Sequence, residues 1–388
     1  MKRIALIVPS LAGGGAERVV SELSIYLEKK SKVYIILFED KKIDFPYRGE
    51  LINTFTSSKR NLFSKIFNSL KRIYKIKKIK KEYNFDVVIS FQRNANVVNL
   101  LYRGKEKIIV SEHSLKTKNN LYFLIYTWFY KKLYQKANSI VVPSKEILNM
   151  LKNNYKISEK NISIINNSIN EKRIKILQQK EEEKGFFNKE DFYIITAGRL
   201  EFPKGIWHLI KAFSLVNKKE KNTHLIILGS GRQRNDLMKL SENLRIKNIS
   251  FLGFKENPYN YFYNSDLFVS SSIYESFGNV IVEAMACGLP VISTMCGGPE
   301  EIIVPGNLSN NIQKDFYLGK YGILVPPFSY KEDIYAPINY LEKKLSEVII
   351  YLMKNKSMLN KYKQKSIERA KDFYSEKLMK NWDKLIYD

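Results

Sequence analysis

Short β-branched runs alternate with helical patterns along this chain, and the alternation occurs in two separate series. The runs of the first series span residues 4–8, 33–38, 87–90, 108–111 and 140–142, and its helical patterns span residues 16–29, 62–83 and 121–136. The runs of the second series span residues 192–197, 224–228, 249–252, 267–269, 290–293 and 323–325, with helical patterns at 206–218, 233–244 and 280–287. Such alternation is typical of parallel, doubly wound sheets, because each helix returns the chain to start the next parallel strand. The sequence therefore predicts an α/β protein with two Rossmann-like domains.

A polar, lysine-rich stretch at residues 171–190 separates the two series and lacks strand character. A chain of 388 residues is long enough for two domains of ordinary size. We predict an N-terminal domain at residues 1–168 and a C-terminal domain at 169–388, with the last helix, at about 370–388, packing back on the N-terminal domain. Doubly wound sheets bind ligands at the carboxyl ends of their strands, so the two domains are expected to face a central cleft.

The net charge of the chain is +26, and most of the excess lies in its N-terminal part. Residues 1–165 contain 32 Lys and Arg against 13 Asp and Glu, whereas the remainder contains 33 against 26. Nucleic acid, an anionic membrane surface and a pyrophosphate-bearing substrate are all attracted by such a charge. No run reaches the ~18 apolar residues of a membrane-spanning helix. The two cysteines, Cys287 and Cys296, have no metal-binding spacing, which favours a reducing cytoplasm.

Two carboxylates flank a predicted helix start in the second series. Glu275 and Glu283 are eight residues apart, and the helical pattern begins between them, with Asn279 as the expected N-cap. A helix N-terminus attracts anions through its free N–H groups and its positive dipole end. A phosphate held there, with an acid on either side to accept hydrogen bonds from hydroxyl groups, suits a nucleotide sugar. The alternative is an ordinary helix start with surface glutamates.

Glycine-rich turns and basic residues follow several of the predicted strands. Gly13, Gly14 and Gly15 follow the first strand, Arg199 follows the strand at 192–197, and Lys204 lies in the next loop. Glycines let a ligand approach the backbone closely. Two cations at strand ends can hold a diphosphate and neutralise the charge of a leaving nucleoside diphosphate. Tight turns and surface solvation are the alternative explanations.

Two further strands end in glycine turns, at residues 228–231 and 251–254, and Phe254 closes the second turn. These turns form a rim where a base can meet backbone amides, although structural turns explain them equally well. His113 ends the strand at 108–111, where an imidazole can hydrogen-bond a sugar hydroxyl or polarise the reacting centre. A histidine with a structural role is the alternative.

Residues 59–81 contain ten Lys and Arg, with apolar residues interleaved at helical spacing. This pattern predicts an amphipathic basic helix, which can lie on anionic headgroups. We assign Lys71, Arg72, Lys75 and Lys78 to a surface that faces the membrane and the acceptor. The alternative is a helix that packs its apolar side on the sheet and leaves its lysines in solvent.

Taken in order, motifs along the whole chain resemble those of glycosyltransferase family 4, whose members are retaining enzymes with the GT-B fold. The motifs are Gly13-Gly-Gly-Ala-Glu-Arg18, Ser111-Glu-His113, Val142-Pro-Ser144, Asn166-Asn-Ser-Ile-Asn170, Gly198-Arg199-Leu-x3-Lys204-Gly205, and Glu275-x7-Glu283 followed by Ala284-Met-Ala-Cys-Gly288. Residues 252–259 and the triple glycine look most like bacterial transferases that extend undecaprenyl-diphosphate-linked glycans with N-acetylgalactosamine. Residues 305–320 look like an insertion of a kind also found in polysaccharide and lipopolysaccharide transferases.

The resemblance implies roles for the matching residues. Two catalytic residues are implied: His113, close to the transferred sugar, and Glu275, near the hydroxyls of the donor sugar. Together with Phe254 at the rim described above, the implied donor-binding residues are Gly14, Gly15, Arg199, Lys204, Gly278, Asn279, Val280 and Glu283. Among these, Arg199 and Lys204 match the pair that holds the diphosphate, and Glu283 matches the acid on the ribose hydroxyls.

The reaction expected from the resemblance is transfer of a hexose or N-acetylhexosamine from a UDP-sugar to a lipid-linked glycan, in cell-surface polysaccharide, lipopolysaccharide or N-glycan assembly. It proceeds with retention and without a cofactor, and the absence of a D-x-D pair disfavours a metal-dependent transferase. The N-terminal domain is expected to bind the acceptor, and the enzyme to lie on the inner face of the cytoplasmic membrane, with no nucleic-acid partner. A GDP- or ADP-sugar donor and a basic nucleic-acid-binding protein are alternatives. An epimerase or dehydrogenase is disfavoured, because Arg18 breaks the dinucleotide fingerprint.

Overall fold

The computed structural model describes residues 1–39, 43–56, 62–113, 121–180, 185–306, 312–313, 316–331 and 333–388. The chain divides into two compact units, one formed by Met1–Ser168 with Ser375–Asp388, the other by Ile169–Tyr374. Each unit contains one sheet with helices between its strands, which confirms the prediction of two doubly wound α/β domains. No helix in the described ranges has the length and apolar character needed to cross a membrane.

The sheet of the first unit has seven strands, each parallel to its neighbours. The strands are β1 (Arg3–Val8), β2 (Lys32–Leu37), β3 (Glu50–Asn53), β4 (Val87–Phe91), β5 (Lys107–Ser111), β6 (Ser139–Val142) and β7 (Ile162–Ile164). Their order in the sheet is β3-β2-β1-β4-β5-β6-β7. The central strands are rich in Ile and Val, whose branched side chains pack well in a sheet buried on both faces. The sequence pattern missed β3 and β7, the two edge strands, because they are short and incompletely buried.

Helices cover both faces of this first sheet. They are α1 (Gly15–Leu27), α2 (Leu62–Tyr83), α3 (Arg93–Leu101), α4 (Leu121–Tyr134), α5 (Lys145–Tyr155) and the last helix of the chain, α14 (Ser375–Tyr387). Successive side chains of a strand point to opposite faces of its sheet. Accordingly, Leu6 of β1 packs in a cluster with residues of α1 and α14, and its neighbour Ile7 packs in another cluster with residues of α2 and α3.

The sheet of the second unit has eight strands in the order β10-β9-β8-β11-β12-β15-β14-β13. The strands are β8 (Phe192–Ala197), β9 (Thr223–Leu228), β10 (Ile249–Gly253), β11 (Leu267–Ser270), β12 (Val291–Thr294), β13 (Ile312–Gln313), β14 (Phe316–Leu318) and β15 (Ile323–Val325). Pairing is parallel from β10 to β15, whereas β14 and β13 are antiparallel to their neighbours. The expected insertion at 305–320 therefore supplies this antiparallel edge; its residues 307–311 and 314–315 lie outside the described ranges.

Eight helices of the described chain belong to the second unit. They are α6 (Glu171–Leu177), α7 (Ile206–Lys219), α8 (Arg234–Asn243), α9 (Tyr259–Tyr263), α10 (Asn279–Ala286), α11 (Gly298–Ile303), α12 (Tyr340–Lys354) and α13 (Lys356–Ala370). The end of the chain thus forms three successive helices, α12, α13 and α14. Asn355 separates the first two, because its side chain accepts a hydrogen bond from Met358 N at 3.0 Å and caps α13.

Candidate active site

Three neighbouring strands of the second unit end in glycine turns that pack backbone against backbone. Gly198 follows β8, Gly229 follows β9 and Gly253 ends β10, and all three have positive φ. Gly198 N donates to Leu228 O at 3.0 Å, and Gly229 N donates to Gly253 O at 2.7 Å. A Cβ on Gly229 would lie 1.9 Å from Gly198 O, so only glycine fits there. The backbone packing therefore explains why these positions are glycines. Phe254, which follows Gly253, has 58% of its surface exposed and is accessible to a ligand.

Lys204 ends a 3₁₀ turn, Phe202–Lys204, that packs on the segment after β11. Ile273 N donates to Pro203 O at 2.8 Å, and a Cβ on Gly205 would lie 2.4 Å from Ser271 O. This close packing brings Lys204 Nζ to the carboxylate of Glu275, with which it forms an ion pair.

Arg199, the second predicted cation, differs from Lys204 in its surroundings. Its side chain is exposed and makes no hydrogen bond or ion pair with the described residues. Nearby, Arg232 pairs with Glu201 at 2.8 Å and holds the pKa of that carboxyl below its usual value. Arg199 is therefore available to a ligand, whereas Lys204 is already paired with Glu275.

Helix α10 begins at Asn279, and Gly278 is its N-cap, with φ 103° and ψ 52°. The prediction of Asn279 as the N-cap is wrong, because the chain enters the helix through a positive φ that glycine adopts without strain. Asn279 and Val280 are the first two helical residues, and no side chain caps the helix. Its N-terminal turn has the polarity that favours an anion.

The two predicted acids lie on either side of this helix start. Glu283 is in α10 and is 6% exposed. Glu275 lies in the preceding loop, which is bound to the segment after β12: Glu275 N donates to Cys296 O at 3.2 Å, and Gly298 N donates to Glu275 O at 3.0 Å. Burial raises the pKa of the Cys296 thiol to about 12, so this neighbour stays protonated and is not a nucleophile.

In the first unit, the predicted glycine loop leads from β1 into α1. Gly13 has φ 56°, Gly14 is the N-cap of α1, and Gly15 is its first residue. Glu17, only 8% exposed, lies so close to Gly14 that a Cβ there would be 2.1 Å from its Oε2. The glycine thus makes room for a buried acid, a contact that the sequence pattern did not reveal.

His113 follows β5, and its Nε2 lies 3.0 Å from Ser111 Oγ. Burial lowers the pKa of His113 to about 4, so the imidazole is neutral at pH 7. The preceding residue, Glu112, is fully buried and accepts a hydrogen bond from Tyr134 Oη. This bond and the Glu112 charge add to burial in raising the pKa of Tyr134. A neutral His113 can hydrogen-bond a sugar but is not a proton donor at neutral pH.

The residues assigned to the basic face on α2 differ in their exposure. Lys71 and Lys78 are exposed. Arg72 is buried, donates to Thr56 O at 2.5 Å and has its pKa lowered by burial. The assignment of Arg72 to the membrane-facing surface is therefore wrong, because this residue is on the side of α2 that packs on the sheet.

Lys75 and the apolar residues also distribute differently from the prediction. Lys75 is partly buried and donates to Thr54 O at 2.6 Å, so it too is held on the inner side. Phe67, Leu70 and Tyr74 are all more than 60% exposed. The outer side of α2 therefore presents large apolar and aromatic side chains together with lysines. The predicted pattern began at residue 59, and residues 59–61 lie outside the described ranges.

Among the described residues, no group of three or more His, Cys, Asp or Glu is placed to hold a metal ion.

Comparisons with known proteins bear on the family and the fold of the chain. The family model described as "Glycosyltransferase Family 4" matches residues 13–173, and the model "Glycosyl transferases group 1" matches residues 178–369. An uncharacterized glycosyltransferase of Methanocaldococcus jannaschii is 35% identical over 92% of this chain and 94% of its own length. A Campylobacter jejuni N-acetylgalactosaminyltransferase, named for an acceptor on diphospho-undecaprenol, is 31% identical over 76% of this chain and 81% of its own. The crystal structure of Anabaena HepE in complex with UDP-glucose is similar in fold, with a TM-score of 0.74, 17% identity and full coverage of both chains.

Proposed function

Because the chain belongs to glycosyltransferase family 4 and has the GT-B fold, we propose that it is a retaining, metal-independent enzyme that uses a UDP-sugar. The sugar is a hexose or an N-acetylhexosamine, and the acceptor is a glycan on undecaprenyl diphosphate. Glycosyl transfer itself follows from family membership. The donor, the acceptor, the stereochemistry and the residue roles are the proposal.

The observation that carries the proposal is the ion pair of Lys204 and Glu275 beside the N-terminus of α10. A UDP-sugar brings a diphosphate and a sugar with hydroxyl groups, and this pair has one partner for each. When the diphosphate binds, Lys204 turns to the phosphate, and the Glu275 carboxylate is released to accept hydrogen bonds from the sugar. Exposed Arg199 adds a second cation, so the charge that develops on the leaving UDP is neutralised by side chains.

The nucleoside part of the donor has two partners in the same unit. The buried Glu283 carboxylate suits the vicinal hydroxyls of the ribose, because a charged acceptor of hydrogen bonds compensates their desolvation. The exposed ring of Phe254 suits the edge of the base. A GDP- or ADP-sugar would make the same diphosphate and ribose contacts, so the base decides between donors.

Retention requires attack on the same face that the leaving group departs from. The thiol nearest to Glu275, Cys296, is protonated and buried, and we assign no nucleophile to the protein. The donor phosphate is proposed to take the proton of the attacking hydroxyl as the glycosidic bond breaks. Neutral His113 hydrogen-bonds the transferred sugar during this step.

The composition of the outer side of α2 supports the proposal of a lipid-linked acceptor. Its lysines attract the anionic headgroups and the acceptor diphosphate, and its exposed Phe67, Leu70 and Tyr74 can enter the headgroup region. The relative from Campylobacter jejuni is named for an acceptor of this kind. We therefore propose a peripheral position on the inner face of the cytoplasmic membrane.

The proposal is tested with purified protein, an undecaprenyl-diphosphate-linked N-acetylgalactosaminyl glycan, and UDP-, GDP- and ADP-sugars assayed separately with and without EDTA. We expect transfer from a UDP-sugar only, unaffected by EDTA, with an α-linked product from an α-linked donor by NMR. Transfer from a GDP- or ADP-sugar alone would show that the proposed UDP-sugar donor is wrong. A β-linked product would show that the proposed retaining mechanism is wrong. Vesicle flotation tests the membrane: Lys71→Glu with Lys78→Glu should reduce binding to phosphatidylglycerol vesicles, and Lys239→Glu, an exposed site on α8, should not.

A further inference from the structure

One residue of the first unit, Gln92, has a backbone conformation that only glycine adopts without strain. Its φ is 70° and its ψ is 151°. The other four non-glycine residues with positive φ in the described ranges have φ between 48° and 54°. The left-handed helical region tolerates several residue types, but the region of Gln92 is essentially restricted to glycine. Strain of this kind persists where surrounding contacts impose it, and it concentrates at functional sites.

Gln92 lies at the carboxyl edge of the first sheet, between β4 and α3. Phe91, the last residue of β4, pairs with Ser111, the last residue of β5. Gln92 N donates to Ser111 O at 3.1 Å, which fixes its backbone to the strand that carries His113. The rings of Phe91 and His113 have their centroids 6.1 Å apart. Gln92 is therefore on the same strand edge as the residue proposed to contact the transferred sugar.

The side chain of Gln92 is oriented by a buried acid. Its Nε2 donates to Glu17 Oε1 at 2.7 Å, and the Glu17 carboxylate occupies the space that glycine leaves at position 14. With its nitrogen turned to Glu17, the amide directs its oxygen away from that side chain. No described residue donates to this oxygen, and Gln92 is partly exposed.

We propose that Gln92 Oε1 accepts a hydrogen bond from a hydroxyl group of the acceptor glycan, and that Glu17 is the positioning residue that fixes the amide. A sugar hydroxyl is the right class of ligand, because it is a neutral donor. The diphosphate that links such a glycan to undecaprenol is esterified at both ends and fully ionised at neutral pH, so it has no proton to donate to the Gln92 oxygen. This inference rests on the proposed function, since it requires a glycan acceptor.

Two substitutions at position 92 separate binding from folding. Gln92→Met keeps the length of the side chain and removes the amide, and Gln92→Gly also relieves the backbone. Both should raise the Michaelis constant for the undecaprenyl-diphosphate-linked glycan at least about tenfold, while that for the UDP-sugar changes less than about threefold. Gln92→Gly should unfold at the same temperature as the wild type or higher.

Glu17→Gln tests the positioning role. The new amide can present its NH2 group to Gln92, so that the Gln92 amide turns and offers a donor where it offered an acceptor. The acceptor Michaelis constant should rise as in Gln92→Met, and the double variant should be no worse than either single one. Lys156→Gly is the matched control: it also relieves a positive φ in the first unit, at 53°, and should change neither Michaelis constant.

Four results would overturn the inference. If Gln92→Met has the same Michaelis constant for the acceptor as the wild type, Gln92 does not make the proposed contact. A melting temperature several degrees lower in Gln92→Gly would assign Gln92 a purely structural role. A rise in the donor constant alone would move the contact to the donor sugar. A wild-type protein that transfers no sugar to the lipid-linked glycan would refute the proposed function itself, and the role of Gln92 with it.

Discussion

The ion pair of Lys204 and Glu275 predicts opposite effects on UDP binding when each partner is changed. Lys204→Met removes the cation and keeps an apolar side chain of similar length. The apolar part of Lys204 lies beside Gly198, with its Cε 3.4 Å from the position that a Cβ on Gly198 would take. A charge-assisted hydrogen bond contributes about 1.5–3 kcal/mol, and about 1.4 kcal/mol is a tenfold change in affinity. The dissociation constant for UDP, measured by calorimetry at about 0.1 M salt, should therefore rise by about tenfold to about 150-fold.

Glu275→Gln keeps the shape of the side chain and removes its charge. UDP lacks the transferred sugar, which is the proposed ligand of the Glu275 carboxylate. In Glu275→Gln the UDP diphosphate no longer competes with a charged side chain for Lys204. The affinity for UDP should therefore be unchanged or higher. Turnover of the UDP-sugar should fall by about tenfold or more, because the acceptor of the sugar hydrogen bonds is weakened.

A second ion pair supplies a matched control. Lys204 lies just before the first residue of α7, and Glu220 lies just after its last residue. Glu220 pairs with Lys354 at 2.9 Å, so this second pair is at the opposite end of the helix. Lys354→Met should leave UDP affinity unchanged. Circular dichroism should show that Lys204→Met and Glu275→Gln are both folded. The proposed role of the ion pair is wrong if Lys204→Met binds UDP as tightly as the wild type, or if Glu275→Gln lowers the affinity for UDP as much as Lys204→Met does.

Three further predictions concern stability. Arg72→Ala should lower the free energy of unfolding by about 1–3 kcal/mol, because the Thr56 carbonyl loses its buried donor. Lys71→Ala should change it by no more than about 0.5 kcal/mol. Both free energies are measured by urea denaturation, and equal changes would contradict the buried position of Arg72. Gly298→Ala should lower it by about 1–3 kcal/mol, since its Cβ would lie 2.3 Å from a backbone atom, and an unchanged melting temperature would contradict that packing. The pKa of His113 is lowered from 6.5 to about 4, so the folded state binds fewer protons than the unfolded state between these values, and stability should fall as pH drops through this window, by up to about 3 kcal/mol. His113→Gln should flatten that part of the pH profile, and an unaltered slope would contradict the assigned pKa.

Much of the fold could be predicted from periodicity. β8 and α2 have the predicted bounds, because longer runs of one pattern leave little choice of register. The three-residue β15 also has its predicted bounds, since all three of its residues are aliphatic. The edge strands β3 and β7 were missed, since incomplete burial shortens their apolar runs. The antiparallel hairpin of β13 and β14 was expected only as an insertion, because two strands of two and three residues carry no periodic signal.

The sequence predicts a set of candidate site residues but not the contacts that they make. Lys204 and Glu275 are 71 residues apart, and their ion pair depends on the packing of Gly205 against the chain after β11. The cap at Gly278 depends on a φ value that the sequence does not specify. Arg72 is different: it precedes the fully buried Ile76 by one helical turn, so the sequence did contain the signal that places it inside. No pattern in the sequence predicts the strained backbone conformation of Gln92.

A crystal structure of the protein with UDP tests the central claim most directly. We expect the diphosphate within hydrogen-bonding distance of Arg199, Lys204 and the first turn of α10. We expect the ribose at Glu283, and Lys204 no longer paired with Glu275. A diphosphate bound away from these groups, or a Lys204–Glu275 pair left intact beside bound UDP, would contradict it.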